Sequence, residues 1–371
     1  MWRVLRTLLQ ALGAAVVTSV VLAVVSAQFA PGWRPAAQLA PLSPAPDRLP
    51  EPSAEYEVAE RETRVHTDDG TRLAARVVLP VGVAGPVAGA VLVQGSGLAG
   101  LESLLEEART LAAAGVAAIV VDKRADGYSM LSRDFDTLAA DVALAADLLA
   151  AQPGVDPDRI GAIGWSEGGW VVPLAADREP GRFAYLVLVS APIVTPLEQA
   201  SWTIGHVTGA APAPLARIPA TMLSAGPEFV DYVDTDIRGT LAEVEVPVYA
   251  VWGAADPTVP VRVALDRLRE SAASPITARI LAGEPHSFGP EVGLWMAGVA
   301  DWIVRLPASA PAADSVSGAE PESDRGLEQL PRRAWFTHPL VHGVLALAVA
   351  ALVGRRAWRG PTARRDRPRV P

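Results

Sequence analysis

The feature that most constrains the fold of this chain is a series of short, unbroken apolar runs separated by amphipathic segments. Strands that are apolar on both faces must be covered on both faces, and helices that connect them make them parallel. We therefore predict an α/β fold, in which helices cover both faces of a mostly parallel sheet. The apolar runs lie at residues 89–95, 116–122, 159–165, 183–191, 246–253 and 276–283.

A hairpin precedes these runs. Residues 56–80 alternate polar and apolar side chains on either side of Asp69-Gly70, a dipeptide typical of tight turns. We expect one domain over residues 55–306. A proline-rich, extended linker precedes it at 31–54, and a small, acidic segment that we expect to be a disordered linker follows at 307–334.

The N-terminal segment, residues 1–30, has the length and composition of a membrane span. Arg3 and Arg6 precede an uncharged apolar stretch of about 20 residues, enough to cross a bilayer. Val25-Ser26-Ala27 also resembles the cleavage site of a secretory signal. The segment is therefore either a transmembrane anchor or a cleaved signal peptide.

A second apolar segment, residues 335–354, is interrupted by His338, Pro339 and His342, and an arginine-rich tail follows at 355–371. Arginine beside an apolar segment marks the cytoplasmic side of a membrane. We expect a second transmembrane helix here, with a soluble packing helix as the alternative. Both termini would then be cytoplasmic, the domain between them would be extracytoplasmic, and the lipid bilayer would be a partner.

Composition limits the chemistry. The chain has no cysteine, which excludes disulfides, thiol nucleophiles and thiolate metal sites. Its net charge is −9 and the central region has no basic stripe, so we expect no nucleic-acid partner. No metal and no organic cofactor is implied.

The segment Gly164-Trp165-Ser166-Glu167-Gly168 follows a predicted strand and precedes a predicted helix. Gly-x-Ser-x-Gly alone is a weak signal, but this setting is that of a nucleophile elbow. The nucleophile's backbone is strained in such a turn, and a Cβ two positions away would clash. Ser166 is our candidate nucleophile.

A serine nucleophile needs a base, and the base needs an orienting carboxylate. Of the five histidines, His286 alone follows the last predicted strand; the others are His66, His206, His338 and His342. Asp256 follows the strand at 246–253, at the sheet edge where open α/β sheets gather their chemistry. Asp231, Asp234 and Asp236 follow no strand. We predict a triad of Ser166, Asp256 and His286.

An oxyanion intermediate needs N–H donors. One should be the backbone N–H of Glu167, the residue after the nucleophile, so that its charge is dispensable to the chemistry. The other should come from the loop Gln94-Gly95-Ser96-Gly97 after the first apolar run, where Ser96 is our choice. A flexible turn is the alternative for this loop.

These motifs give the chain a resemblance to a known superfamily. The segments VLVQGSG, VVDKRADGYS, DRIGAIGWSEGGW, VWGAADPTVP and GEPHSFG make residues 56–306 similar to the α/β-hydrolases, most of all to bacterial esterases, dienelactone-hydrolase-like and serine-aminopeptidase-like members. In such relatives a histidine usually stands at Gln94 and a glycine at Ala125. The second difference lies in the motif that contains Asp122 and Arg124.

The resemblance implies an α/β-hydrolase fold with a small lid, which we expect at about residues 192–245, and a serine hydrolase. The expected substrate is a small-molecule carboxylic ester, cleaved through an acyl-enzyme. A thioesterase, a peptidase or an acyltransferase of the same fold is the alternative, and so is a non-catalytic, membrane-tethered binding module. Trp165 and Trp170 could wall the acyl pocket or pack the elbow against the sheet.

Overall fold

The computed structural model describes residues 2–28, 55–207, 230–288, 292–307, 309–322 and 338–359. The chain divides into two compact units, each described by itself. One comprises Trp33–His206 and Glu228–Glu328 and contains the sheet; the other comprises Met1–Gly32, Val207–Pro227 and Gln329–Pro371.

The first unit is built on nine strands and the helices that connect them. The strands are β1 (Glu57–His66), β2 (Arg72–Val81), β3 (Val87–Val93), β4 (Ala117–Val121), β5 (Val155–Trp165), β6 (Tyr185–Val189), β7 (Val248–Gly253), β8 (Ile276–Leu281) and β9 (Ser315–Gly318). The helices of this unit are α2 (Leu105–Ala113), α3 (Phe135–Ala150), α4 (Gly168–Arg178), α5 (Pro196–Val207), α6 (Arg238–Glu243), α7 (Val261–Ser271) and α8 (Val292–Val304).

The strands form one sheet in the order β1-β2-β4-β3-β5-β6-β7-β8-β9. The hairpin β1–β2 is antiparallel, and so is the pair β2–β4. From β4 to β9 the neighbouring strands are parallel. The chain steps from β3 to β4 on one side and then to β5 on the other. The crevice at the carboxyl ends of β3 and β5 is therefore a switch point, the place where such sheets hold ligands.

Apolar side chains fill both faces of the sheet. On one face, residues of α3, α4 and α7 such as Leu138, Trp170 and Leu265 are buried against the strands. On the other, residues of α2 and α8 such as Leu105 and Met296 are buried. The predicted mostly parallel sheet with helices on both faces is confirmed, and the turn at Asp69-Gly70 joins β1 to β2 as expected, with Gly70 at φ 85°.

The last strand differs from the sequence prediction. β9 pairs in parallel with β8, from Thr277 opposite Ser315 onward. The expectation of disorder over 307–334 is therefore wrong for residues 315–318, and the sheet extends past the predicted domain end at 306. A four-residue edge strand of serine, valine and glycine carries no apolar pattern to reveal it.

The second unit contains the terminal helices α1 (Trp2–Gln28) and α9 (Pro339–Arg359). They pack together: a Cβ at Gly354 would lie 3.9 Å from the Cβ of Ala11, an ordinary packing distance. Among the described helices, only α1 is long and apolar enough to cross a membrane, over Val4–Val25, a test that a signal sequence would also meet. The second span therefore stays a prediction. The predicted linker at 31–54 and residues 360–371 of the tail lie outside the described residues.

Candidate active site

Ser166 sits at the tip of a sharp turn between β5 and α4. Its backbone is in the left-handed region, with φ 50°, which is strained for a residue with a side chain. A Cβ at Gly164 would lie 2.3 Å from the carbonyl oxygen of Gly168, and a Cβ at Gly168 would lie 2.7 Å from that of Val93. The two glycines are thus explained by a turn too tight for side chains at these positions.

The loops that carry Asp256 and His286 follow the neighbouring strands β7 and β8 and are joined through their backbones. Ala255 N–H donates to the carbonyl oxygen of Glu284 at 3.0 Å. A Cβ at Gly253 would lie 2.0 Å from the same oxygen, so glycine allows this approach. The carbonyl oxygen of His286 in turn accepts from Ser190 Oγ at 2.8 Å. The backbone contacts between the two loops bring the two side chains together.

The three predicted triad side chains form one hydrogen-bonded chain. His286 Nε2 lies 3.0 Å from Ser166 Oγ, and His286 Nδ1 lies 2.7 Å from Asp256 Oδ2. Asp256 is 3% exposed, and its Oδ1 accepts from the backbone N–H groups of Thr258 and Val259. An ionised carboxylate only accepts, so it selects the tautomer with the proton on Nδ1. Nε2 is then free to accept the proton of Ser166.

The loop after β3 passes directly beside the nucleophile. A Cβ at Gly95 would lie 3.4 Å from Ser166 Cβ and 3.5 Å from the carbonyl oxygen of Trp165. Ser96 is the next residue along this loop. Glu167 is the N-cap of α4, and N–H groups at this end of a helix have no intrahelical acceptor. Both predicted oxyanion donors thus belong to segments that adjoin Ser166.

The side chain of Glu167 is the part of the site that the sequence prediction left out. It is fully buried, and its carboxylate forms ion pairs with Lys123 Nζ at 2.6 Å and with Arg133. Both of its oxygens lie 2.9 Å from the hydroxyl of Tyr128, and Ser96 Oγ lies 3.3 Å from Oε2. From the sequence we expected this charge to be dispensable to the chemistry. In the structure the carboxylate binds four side chains.

Burial changes the acid–base behaviour of this cluster. Loss of hydration lowers the pKa of Lys123 against the opposing attraction of Glu167, and burial raises the pKa of Tyr128 to about 12. The sequence held one signal for the cluster, since Lys123 and Tyr128 both lie in the segment VVDKRADGYS that carries the family resemblance. Nothing in the spacing of Tyr128 and Arg133 linked them to Glu167.

Asp122 and Arg124 support the loops around the site. Asp122 Oδ1 accepts from Leu101 N–H, and Arg124 makes a two-pronged ion pair with Asp141 at 2.8 and 2.7 Å. Gln94, at the position usually held by histidine, is buried and donates to the carbonyl oxygen of Val121 at 3.1 Å. Asp122 and Gln94 bind backbone groups, and Arg124 binds a side chain of α3.

The two tryptophans of the elbow segment have different surroundings. Trp170 is 2% exposed, stacks on Phe135 at 5.7 Å and donates Nε1–H to the carbonyl oxygen of Val194 at 2.8 Å. It therefore packs α4 against the core. Trp165 is partly exposed and meets Trp295 edge to face, at 6.1 Å between ring centroids.

The rival candidates of the sequence have other partners. His206 stacks on Trp202 at 5.2 Å between ring centroids. Asp231 accepts from Ser132 Oγ and from Arg133 N–H, and Asp236 pairs with Arg238. Of the predicted lid at 192–245, the structure describes 192–207 and 230–245, which contain α5 and α6; residues 208–229 lie outside the described part, so the lid stays a prediction.

Comparison with known proteins shows the family of this chain. A model of the prolyl oligopeptidase family matches residues 106–306, more than half of the chain. The chain belongs to the prolyl oligopeptidase family. It is therefore a hydrolase of the α/β fold in the serine hydrolase superfamily, which confirms the superfamily resemblance, although the sequence motifs had pointed first to esterases. A search of curated proteins finds no match.

Several solved structures are similar to this prolyl oligopeptidase family member. A 2,6-dihydroxy-pseudo-oxynicotine hydrolase is 21% identical, with 72% of each chain covered and a TM-score of 0.49. A putative dienelactone hydrolase from Klebsiella pneumoniae is 18% identical, over 67% of this chain and 99% of its own, with a TM-score of 0.48. An esterase domain from a Rhodothermus marinus protein is 19% identical, over 67% and 98%, with a TM-score of 0.48.

Proposed function

We propose that this protein cleaves carboxylic esters of small molecules through an acyl-enzyme, with Ser166 as nucleophile, His286 as base and Asp256 as the group that orients it. The observation that carries the proposal is the hydrogen-bonded chain from Ser166 Oγ through His286 to Asp256. A nucleophile, a base within hydrogen-bond reach and a buried orienting carboxylate are what acyl transfer requires.

In the acylation step, Ser166 Oγ bonds to the carbonyl carbon of the ester while His286 Nε2 takes the hydroxyl proton. The carbonyl oxygen becomes an oxyanion, which the N–H groups of Glu167 and Ser96 bind. The tetrahedral intermediate collapses, the bond to the alcohol oxygen breaks, and Nε2 returns the proton to that oxygen. The alcohol leaves and the acyl group stays on Ser166.

Deacylation repeats these steps with water. His286 Nε2 takes a proton from the water as its oxygen bonds to the acyl carbon, and a second oxyanion forms in the same place. Its collapse breaks the bond to Ser166 Oγ, which regains the proton from Nε2, and the carboxylic acid leaves. Asp256 stabilises the positive imidazolium in both halves of the reaction.

A peptide bond is the second candidate substrate, favoured by the family match over residues 106–306. The same groups serve both reactions, since Nε2 can protonate an amine as it protonates an alkoxide. A panel of 4-nitrophenyl esters of increasing acyl length, run beside aminoacyl and prolyl 4-nitroanilides, separates the two. Serine peptidases also cleave activated esters, so the anilides decide. We expect turnover of the esters and no turnover of the anilides above the Ser166→Ala background; turnover of an anilide would reverse the proposal.

The nucleophile itself is tested by covalent labelling. We expect a fluorophosphonate probe to label the wild-type protein and not Ser166→Ala, with Ser190→Ala as the matched control. Ser190 is a buried serine that has a positive φ like Ser166, and its hydroxyl donates to the carbonyl oxygen of His286. Labelling that persists in Ser166→Ala would mean that another residue is the nucleophile. No labelling of the wild type would remove the catalytic proposal and favour a non-catalytic binding module.

We also propose that α1 anchors the protein in a membrane, with the hydrolase domain outside the cytoplasm. The length and apolar composition of Val4–Val25 support this, and so do the arginines at both ends of the chain. We propose a second span over residues 335–354, which returns the C-terminus to the cytoplasm. A reporter fused after residue 330 should therefore be active outside the cytoplasm, and one at the C-terminus inside it. N-terminal sequencing that begins after Ala27 would replace the anchor with a cleaved signal.

A further inference from the structure

The cluster around Glu167 buries three charged side chains, which is an unfavourable way to stabilise a fold. Glu167 is fully buried, and the side chains of Lys123 and Arg133 are 6% and 9% exposed. Removing charges from water costs several kcal/mol for each ion, and well-packed apolar side chains often stabilise a protein at least as well. Stability alone therefore does not explain this cluster, and we look for its role in the groups that it positions.

What the cluster holds is the loop after β3, at three consecutive residues. Lys123 Nζ donates to the carbonyl oxygen of Gly95. Ser96 Oγ lies 3.3 Å from Glu167 Oε2 and 3.2 Å from Arg133 Nη1. Gly97 N–H donates to the hydroxyl of Tyr128 at 2.8 Å. The loop is thus tied to Glu167 directly at one residue and through a partner on either side.

The chemistry of the Tyr128 hydroxyl fits this role. A phenol donates one hydrogen bond and also accepts. It accepts from Gly97 N–H, so its own proton is available for the Glu167 carboxylate, whose two oxygens lie 2.9 Å away. A phenol is protonated at neutral pH, and burial raises the pKa of Tyr128 further, to about 12.

Glu167 contributes to the site through both its backbone and its side chain. Its backbone N–H lies at the start of α4, directly after the nucleophile, while its carboxylate is bound to the loop that contains Ser96. We propose that the Glu167 carboxylate, with Lys123, Tyr128 and Arg133, is the positioning group of the oxyanion site. It fixes the Ser96 N–H relative to the Glu167 N–H, so that both donors meet the same oxygen. This inference rests on the proposed function of Ser166.

A purely structural role would predict something else. A cluster that merely stabilised the domain would affect all reactions of the folded enzyme alike. A positioning role affects the oxyanion alone, and oxyanion donors contribute in the transition state more than in substrate binding. The test must therefore separate kcat from KM, and must separate reactions that need the oxyanion donors from those that need them less.

Tyr128→Phe is the variant of choice, because it removes the hydroxyl between Gly97 and Glu167 and leaves every charge in place. Loss of a whole oxyanion donor lowers kcat about 10²–10³-fold, so a loosened donor should lower it about 10-fold on a 4-nitrophenyl ester. KM should change less than about twofold. The matching thionoester places the developing charge on sulfur, a weaker acceptor, so its rate should fall less and the ratio of ester to thionoester rates should shrink.

Tyr232→Phe is the matched control. Its hydroxyl donates to the carbonyl oxygen of Met130 at 2.9 Å, and its ring lies 4.6 Å from the same Arg133 guanidinium. It loses a hydroxyl in the same neighbourhood without a hydrogen bond to residues 95–97. We expect its kcat, KM and ester-to-thionoester ratio to match those of the wild type.

A second measurement is independent of turnover. Amide hydrogen exchange at Ser96, rather than at Gly97 whose acceptor is removed, should be faster in Tyr128→Phe and unchanged in Tyr232→Phe. Unchanged exchange at Ser96, or an equal fall in the ester and thionoester rates, would overturn the positioning role. A wild-type enzyme that cleaves no ester, combined with the expected exchange, would overturn the proposed function and leave the positioning of the loop standing.

Discussion

The two sides of the candidate site are held in place by different physical means. On the side of Asp256 and His286, backbone meets backbone: Ala254 N–H and Ala255 N–H donate to carbonyl oxygens at and after the end of β8, and Gly253 allows the close approach. On the side of Ser96, buried side-chain charges hold the loop, through Glu167 and its two cations. One side depends on shape and the other on charge.

This difference teaches where each side is sensitive. Backbone hydrogen bonds between neighbouring loops resist changes of charge, but they fail when a side chain is inserted between them. A buried ion cluster tolerates small changes of shape, but loss of one charge leaves its partners unpaired in a place without water. A charge substitution should therefore disturb mainly the Ser96 side, and a glycine substitution at Gly253 should disturb mainly the side of Asp256 and His286.

The largest expected effect is on catalysis, through Asp256→Asn. Asparagine can still accept from Thr258 and Val259 N–H, so the loop keeps its shape. Its amide group facing His286 favours the wrong tautomer, as in other triads, where kcat falls about 10⁴-fold. We expect that loss on an ester, while urea unfolding stays cooperative and shows that the variant is folded. A kcat within tenfold of the wild type would mean that Asp256 does not orient the base.

The next effect is on stability, through Glu167→Gln. The side chain keeps its size but leaves Lys123 and Arg133 without a counter-charge, which typically costs about 3–5 kcal/mol when such a pair is buried. Urea unfolding measures it through the midpoint and the slope.

Glu179→Gln is the matched control for Glu167→Gln. Glu179 is exposed at the end of the same helix and pairs with Arg182 at 3.6 Å, so we expect a change below about 1 kcal/mol. Equally small losses of unfolding free energy in Glu167→Gln and Glu179→Gln would mean that buried charge does not hold the Ser96 side of the site.

The side that depends on shape is tested by Gly253→Ala. The added methyl group would lie 2.0 Å from the carbonyl oxygen of Glu284, so the backbone of the Asp256 or the His286 loop must move. We expect a loss of about 1–3 kcal/mol and a lower kcat, measured by urea unfolding and ester hydrolysis. Gly239→Ala is the control: it lies in α6, has no atom within 4 Å of its would-be Cβ, and should be neutral or slightly stabilising.

The same contrast explains what the sequence could predict. Apolar runs define β3 to β8 because each core strand is buried on both faces, and the order of Ser166, Asp256 and His286 follows from the strands that they succeed. The hydrogen bonds between the backbones of the 253–256 and 283–286 loops have no signature in residue types. Neither does the partnership of Glu167 with Tyr128 and Arg133, because it joins residues 39 and 34 positions apart through folding alone.

The smallest expected effect is a shift in one titration, and the chain offers a clean probe of it. Lys123 is the only lysine, so lysine labelled with ¹³C at Cε gives one signal that needs no assignment. Burial lowers the pKa of Lys123 below its usual 10.5, although the attraction of Glu167 opposes the shift. The folded protein then releases this proton before the unfolded chain does. The contribution of Lys123 to stability therefore rises as pH increases through its lowered pKa toward 10.5.

The titration of the native protein should have its midpoint below 10.5, and the urea-unfolded chain supplies the reference. Glu167→Gln, where it folds, should lower the native midpoint further, while Glu179→Gln should leave it unchanged. A native midpoint at or above that of the unfolded chain would contradict this. It would mean that the attraction of Glu167 for the charged lysine is larger than the cost of burying that charge.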